Sequence, residues 1–281
     1  MSRPGLFQSC LKALRHRSFH SAYHGTFSVI EADCCELKAL ARRLRHEIFG
    51  LGETGAAIDE ARAVDHLLIH QPSGEAIGTV RVLLPNREQP LRSFPAQTLC
   101  EHPYLHDLTH TGTFCELASL GVVHRFRRRP GDGRFLPAYH DQDWRVQFRA
   151  GGISYLRRRI PYAPLGLLRA CFKTVLDAGI VDCVMMVESA HREHLERIGL
   201  PYRVLGPKVA YQGAEQQPLL FNIKHALDYM LLENPNCWDV VADMGSLHKK
   251  ANLLFLDALQ GETPAVQAEA LGAFEAGGIF H

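Results

Sequence analysis

The sequence predicts an α/β (α+β) protein built on one mixed sheet with helices packed against it. Three observations predict it. Residues 66–70 and 76–84 are apolar runs flanking Pro72-Ser73-Gly74-Glu75, which is the pattern of a hairpin. Residues 117–123 are a second apolar run, with Glu116 at its head and Arg125, Arg127, Arg128 and Arg129 at its exit. Residues 162–187 read as a helix and then a continuous apolar strand, which completes a βαβ unit.

Taken in order, the chain opens with a basic stretch. Residues 1–25 hold Arg3, Lys12, Arg15 and Arg17 and no acidic residue, with Leu6, Phe7, Cys10, Leu11 and Leu14 at helical spacing. Two readings stand: an amphipathic helix making peripheral contact with an anionic membrane surface, and a loosely ordered tail. Residues 26–32 read as the first strand. Asp33 is placed to cap a helix over 34–49, whose stripe is Leu37, Leu40, Leu44 and Ile48 and whose end is Gly50. Residues 51–64 read as a loop carrying Asp59, Glu60 and Arg62, and the hairpin follows.

Residues 85–113 show little periodicity. His102, His106 and His110 fall four apart, but Pro103 interrupts them and no carboxylate or cysteine completes a metal set, so no metal is expected. After the strand headed by Glu116, residues 130–160 read as an arginine-rich loop. A helix from Pro164 buries Leu165, Leu168, Cys171, Phe172, Val175 and Leu176, and Gly179 ends it. The run 181–187 reads as a strand buried on both faces. Glu188 ends it, and Ser189 is expected to cap the next helix. Residues 202–205 and 209–211 read as short strands, 219–232 as a helix, 237–242 as a further turn, and 247–274 as helix-prone. The expected domains are a basic tail at 1–25, a main domain at 26–245 and a helical extension at 246–281.

Bulk properties exclude several classes. The 281 residues are 46% hydrophobic and 22% charged, which suffices for a sizeable core. No apolar run reaches the roughly 18 residues of a membrane span, and no secretory signal is evident. Eight cysteines without a C-x-x-C pair point to reduced thiols and a cytoplasmic location. The net charge of +1 hides a local asymmetry: residues 125–159 carry ten arginines against three aspartates, a balance of +7. Such a segment suits an acidic partner. A nucleic-acid role is not favoured, because no recognised RNA-binding motif accompanies the charge.

Four segments carry a resemblance: 78–85 (Gly-Thr-Val-Arg-Val-Leu-Leu-Pro); Glu116 through Arg129; 165–170 (Leu-Gly-Leu-Leu-Arg-Ala); and Ile198-Gly199 with Leu205-Gly206-Pro207 and Tyr211-Gln212-Gly213. In this order they resemble the GNAT acyltransferase superfamily. The branch is that of acyl-homoserine-lactone (autoinducer) synthases and N-acyl amino acid synthases, and the chain is most similar to the bacterial PEP-CTERM, exosortase-associated acyltransferases. The resemblance implies a GNAT-like fold with a splayed central sheet. It implies transfer of an acyl chain from a phosphopantetheine thioester, on acyl carrier protein or less readily coenzyme A, to a small amine such as an amino acid. No permanently bound cofactor is expected. The thioester arm would lie between the strands 116–123 and 181–187, along Leu117, Ala118, Leu120, Gly121 and Val122, with Arg127, Arg128 and Arg129 toward the donor's anionic part. Acyl carrier protein would dock on the Arg125–Arg159 segment.

The resemblance places the family carboxylate at Glu116 and the hairpin arginine at Arg81. Two departures stand out. Ser119 occupies the place of the family's arginine, and the family's loop aspartate falls near Ala61, with Asp59, Glu60 and Asp65 as substitutes. Aminolysis of a thioester needs a base for the amine and donors for the carbonyl oxygen. Glu116 is the candidate base, or else a carboxylate paired with an arginine such as Arg81. Arg81 orients Glu116, clamps an acceptor carboxylate, or forms a structural ion pair. Ser119 is a candidate hydrogen-bonding group, and Glu188 is the second-choice base or a helix-start carboxylate. A bulge with a carbonyl-facing N–H is implied at Gly121 or in 117–119. The lost family arginine keeps a different class open: a non-catalytic module that binds acyl carrier protein or an acyl ligand.

Overall fold

A computed structural model describes residues 19–50, 62–108, 112–126 and 162–261. The strands are β1 (Phe27–Glu31), β2 (Ala63–His70), β3 (Glu75–Leu83), β4 (Phe114–Val122), β5 (Asp182–Glu188), β6 (Arg203–Val204), β7 (Val209–Tyr211) and β8 (Ala214–Asn222). They form one sheet in the order β1-β2-β3-β4-β5-β8-β6, with β7 also on β8. All pairs are antiparallel except β4–β5, which is parallel. This is a mixed α/β, GNAT-like architecture.

The helices are α1 (Cys35–Phe49), α2 (Pro95–Leu99), α3 (Pro103–His106), α4 (Pro164–Asp177), α5 (Ser189–Ile198), α6 (Ile223–Glu233), α7 (Pro235–Val241) and α8 (Ser246–Gly261). Two expected caps are displaced. The residue at the start of α1 is Cys34 rather than Asp33, and the residue at the start of α5 is Glu188 rather than Ser189; neither side chain makes a capping bond. Each sequence reading was off by one position, within the usual uncertainty of helix boundaries. Gly50, at φ +65°, closes α1 as expected.

The largest correction concerns residues 214–222. Leu219, Leu220 and Phe221 belong to β8, not to a helix, and the helix starts only at Ile223, where the Asn222 side chain accepts the His225 N–H. An apolar run of this length has no periodicity that separates a strand from a buried helix. It is a strand because β5 on one edge and β6 on the other take its backbone bonds. Residues 90–92 form a 3₁₀ turn, and α2 and α3 follow in the stretch that lacked a period.

The sheet is covered on both faces. On one, α4 buries Leu165, Leu168, Cys171, Phe172, Val175 and Leu176 against the strands. Each such side chain contributes about 1.5–3 kcal/mol. The N-terminus of α4 is anchored by Tyr23, whose hydroxyl accepts the Gly166 N–H at 2.6 Å and donates to the Ala163 carbonyl at 2.7 Å. Tyr23 is buried, so the end of the basic stretch, helical over 19–26, belongs to the core; residues 1–18 lie outside the described residues. At the other terminus, α8 packs on α6 and α4. On the opposite face sit α1 and a smaller apolar cluster of Leu83, Phe94, Ala96, Leu105, Phe114, Val184 and Leu220. That cluster encloses the head of β4.

Among the described residues, Cys100, Cys115, Cys171, Cys183 and Cys237 are buried and free, while Cys34 and Cys35 are free and exposed. No described helix is long and apolar enough to cross a membrane.

Candidate functional site

The β4–β5 pair holds together only at one end. Phe114 to Leu117 pair with Asp182 to Met185, and beyond this the two strands pair no further. From Ala118 on the strands diverge, which is the splay expected from the resemblance. On its other edge β4 carries a bulge. Arg81 pairs with Ala118 and Thr79 with Gly121, so Ser119 and Leu120 together stand opposite Val80. Ser119 adopts φ +53°, a left-handed conformation that costs a non-glycine residue roughly 1–2 kcal/mol. The sequence left the bulge's position open; it lies at the point where the parallel pairing has just ended. Ser119→Gly is expected to raise stability by about 0.5–1 kcal/mol, read as a shift in urea midpoint at unchanged slope.

Glu116 sits one residue before that pairing ends, on the face that also presents Ala118, and is only 1% exposed. Among the described residues its carboxylate makes one hydrogen bond: Oε2 accepts the Ala96 N–H at 2.9 Å. Burial, only partly offset by that bond, pushes its pKa up to about 7. The donor is positioned by Gln97, whose Oε1 accepts the N–H groups of Ser93 and Phe94 and whose Nε2 donates to the carbonyls of Pro90 and Leu105. Tyr104, donating to Asp182 at 2.8 Å, pins α3 to the start of β5. Sequence reasoning missed Gln97 and Ala96 because the stretch has no period; Pro95 three residues after Arg92 was the available signal.

Arg81 makes no ion pair with Glu116. It bonds the carboxylate of Asp65, its cross-strand partner, with Nε on Oδ1 and Nη2 on Oδ2, both at 2.8 Å. Arg45 of α1 reaches the same Oδ1 at 2.8 Å. Burial pushes the Asp65 carboxyl up, but the two arginines outweigh it and hold the group below its usual value. Asp65 was legible as an acidic substitute in this region, but β2 was read as beginning only at His66.

Glu188 ends β5 and lines a cleft of about 190 Å³ together with Ile48 and Phe49 of α1, His191 of α5, and Gln212, Gly213, Ala214 and Gln216 of the β7–β8 hairpin. The cleft borders β4 through Gly121: a Cβ there would come within 2.6 Å of Phe49 and 2.7 Å of Ile48. Gly121→Ala is therefore expected to displace these two side chains and destabilise the fold by about 1–3 kcal/mol, measured by chemical denaturation. Tyr211, in β7 beside the cleft, has its phenol pushed up to about 12, by burial first and by the charge of Glu116 second. The hairpin thus brings a phenol near Glu116, a role the sequence reading did not assign.

Of the remaining predicted residues, Leu117 and Val122 are buried in β4, while Ala118, Ser119, Leu120 and Gly121 are half-buried along the splay. Arg127, Arg128 and Arg129, with the rest of the basic segment up to residue 161, lie outside the described residues. Arg125 is described and is held by Glu47, at 3.1 Å, and by Glu75. The histidine series does not converge: His102 Nδ1 accepts the Tyr104 N–H, His106 Nε2 bonds the Cys100 carbonyl, and His110 is not among the described residues. No group of three or more metal-ligating side chains occurs among the described residues.

Residues 44–135 match the family model of the acetyltransferase (GNAT) domain. No curated protein sequence matches the chain. Among solved structures, FeeM, an N-acyl amino acid synthase from uncultured soil microbes, is similar at 13% identity and TM-score 0.48, covering 73% of this chain and 95% of its own. BjaI, a CoA-dependent acyl-homoserine lactone synthase, is similar at 18% identity and TM-score 0.45, with coverages of 81% and 99%. The AHL synthase LasI is similar at 15% identity and TM-score 0.44, with coverages of 71% and 91%. The strand order, the splay after Leu117 and the matched segment 44–135 together make this a GNAT-like fold.

Proposed function

We propose that this protein is an N-acyltransferase that moves a fatty acyl chain from a phosphopantetheine thioester to the amine of a small acceptor. The observation that carries the reading is Glu116: a buried carboxylate with a pKa of about 7, beside a backbone bulge, where two parallel strands part. A base poised near neutrality suits proton abstraction from an amine. The amine nitrogen attacks the thioester carbon, its proton passes to Glu116 directly or through a water, the C–S bond breaks, and the thiolate leaves and is protonated. Thiolate is a good leaving group, so no strong acid is demanded. The bulge at Ser119–Leu120 frees backbone N–H groups from the β3 ladder, and these are the candidate donors to the carbonyl oxygen. The thioester arm enters along the unpaired edges of β4 and β5.

The finer parts of the proposal are acyl carrier protein as donor, docked on the basic segment through Arg159, and kinship with the exosortase-associated branch. The local balance of +7 supports the first and the four sequence segments support the second. The test is incubation of purified protein with matched acyl-carrier-protein and acyl-CoA thioesters and a panel of amines, with products read by mass spectrometry. An N-acyl amine, formed faster from the carrier protein and suppressed by salt, is the expected result. Formation from CoA alone overturns the donor assignment. Binding of acylated carrier protein with no product from any amine replaces the enzyme with a binding module.

A further inference from the structure

We infer that the acceptor is a diamine without an α-carboxylate, one nitrogen reacting at Glu116 and the second, as ammonium, anchored by Glu188. The inference rests on the acyl-transfer reading and names its acceptor class. Among the described residues, the hairpin arginine that would clamp an acceptor carboxylate is already engaged, and so are two arginines on neighbouring elements. Arg81 and Arg45 converge on the buried Asp65, and Arg125 is engaged by Glu47 and Glu75.

The cleft itself has the opposite character. Among the described residues that line it, Glu188 is the one formally charged carboxylate, and no lysine or arginine is present. Glu188 is half-buried at the end of β5, where Gln216 is its cross-strand partner on β8. Among the described residues its carboxylate makes no hydrogen bond or ion pair, unlike those of Glu47, Glu75, Glu193 and Glu196. An unengaged carboxylate in a concave site is a receptor for a cation. The N-terminus of α5 beside it supplies only a partial positive charge, which leaves the described lining of the cleft net negative. Gln212, Gln216 and His191 add neutral hydrogen-bonding partners around the rim. At about 190 Å³ the cleft is smaller than the roughly 300 Å³ at which drug-sized sites begin, which fits a short acceptor.

The placement also separates the two nitrogens. Glu188 and Glu116 are on the same parallel pair, but Glu116 is paired with Val184, while Glu188 lies at the far end of β5, beyond the last pairing of Leu117 with Met185. One carboxylate can hold a charged nitrogen while the other deprotonates its neighbour along the chain. A mono-amine satisfies only one of them.

The test uses 1,4-diaminobutane and two probes that each differ from it by one group: ornithine, which adds a carboxylate, and butylamine, which lacks one amine. Each is titrated calorimetrically into the full chain at low salt without acyl donor, for wild type, Glu188→Gln and Glu188→Lys. Melting curves confirm that the variants fold. Wild type is expected to bind the diamine about 10–100-fold more tightly than either other probe. Glu188→Gln is expected to erase the advantage over butylamine, and Glu188→Lys to shift the preference toward ornithine. Equal or tighter binding of ornithine to wild type, an unchanged diamine affinity in Glu188→Gln, or no binding of any probe overturns the inference. Acylation is then assayed separately. Selective diamine binding without acylation by any thioester removes the acyl-transfer reading and leaves the site standing. Acylation with ornithine preferred does the reverse.

Discussion

Asp65→Ala is expected to destabilise the fold by about 3–5 kcal/mol, a large fraction of a domain's total stability. Asp65 is 2% exposed and accepts three charge-assisted bonds at 2.8 Å, two from Arg81 and one from Arg45. Arg81 is itself only 7% exposed, so alanine leaves its guanidinium in the sheet without the bidentate partner. Replacing the pair together is a different experiment. A double variant, Asp65→Leu with Arg81→Met, removes both charges and keeps side-chain volume, and it is expected to recover most of the loss. Urea denaturation of the three proteins checks this. The same double variant decides what Arg81 does. Retained acylation makes the pair a brace between β2 and β3; an acceptor KM that rises with stability recovered makes Arg81 part of the acceptor site. The pH dependence has a definite sign. Since the folded Asp65 carboxyl lies below its ordinary value of 3.8, its contribution is full above that value and is lost as pH falls through the lowered one.

Glu116→Gln is expected to lower kcat/KM by about 10²–10⁴-fold, the usual range for removing a general base, while raising stability at and above neutral pH. The two effects have one cause. The Glu116 pKa is raised from 4.5 to about 7, so the folded state favours the proton. Its stabilising contribution is therefore complete below pH 4.5, declines as pH rises through the interval, and is gone above about 7. The integrated loss is about 3 kcal/mol. Glutamine still accepts the Ala96 N–H and never ionises, so the variant escapes that loss. Denaturation at pH 4 and pH 8 should show near-equal stability at the first and a more stable variant at the second. The wild-type acylation rate should climb through a limb near pH 7, which the variant lacks. Equal product formation by both proteins would remove Glu116 as the base. Unequal stability at pH 4 would mean that glutamine disturbs the turn set by Gln97 rather than merely removing a charge.

Much of the fold was legible because it is written in short-range patterns. The stripe of Leu37, Leu40, Leu44 and Ile48 with Gly50 behind it makes α1, and Gly74 between two apolar runs makes the β2–β3 hairpin. The run beside Glu116 and the run ending at Glu188 announce the two strands that part. What failed had no local period to read. Residues 214–222 are a strand only because β5, β6 and β7 complete their backbone bonds. Gln97 matters only because its four bonds fold residues 90–105 over the head of β4.

The candidate site divides in the same way. The sequence by itself determined which residue types are available: one carboxylate heading an apolar strand, an arginine inside a hairpin strand, and a glutamate at the end of the next strand. Only the tertiary structure decided their partners. It set Arg81 on Asp65, Ala96 on Glu116 and the bulge at Ser119, and it left Glu188 facing an open cleft. Charge and hydrophobicity are properties of single residues, whereas a raised pKa or an engaged guanidinium depends on which groups long-range packing brings within about 3 Å.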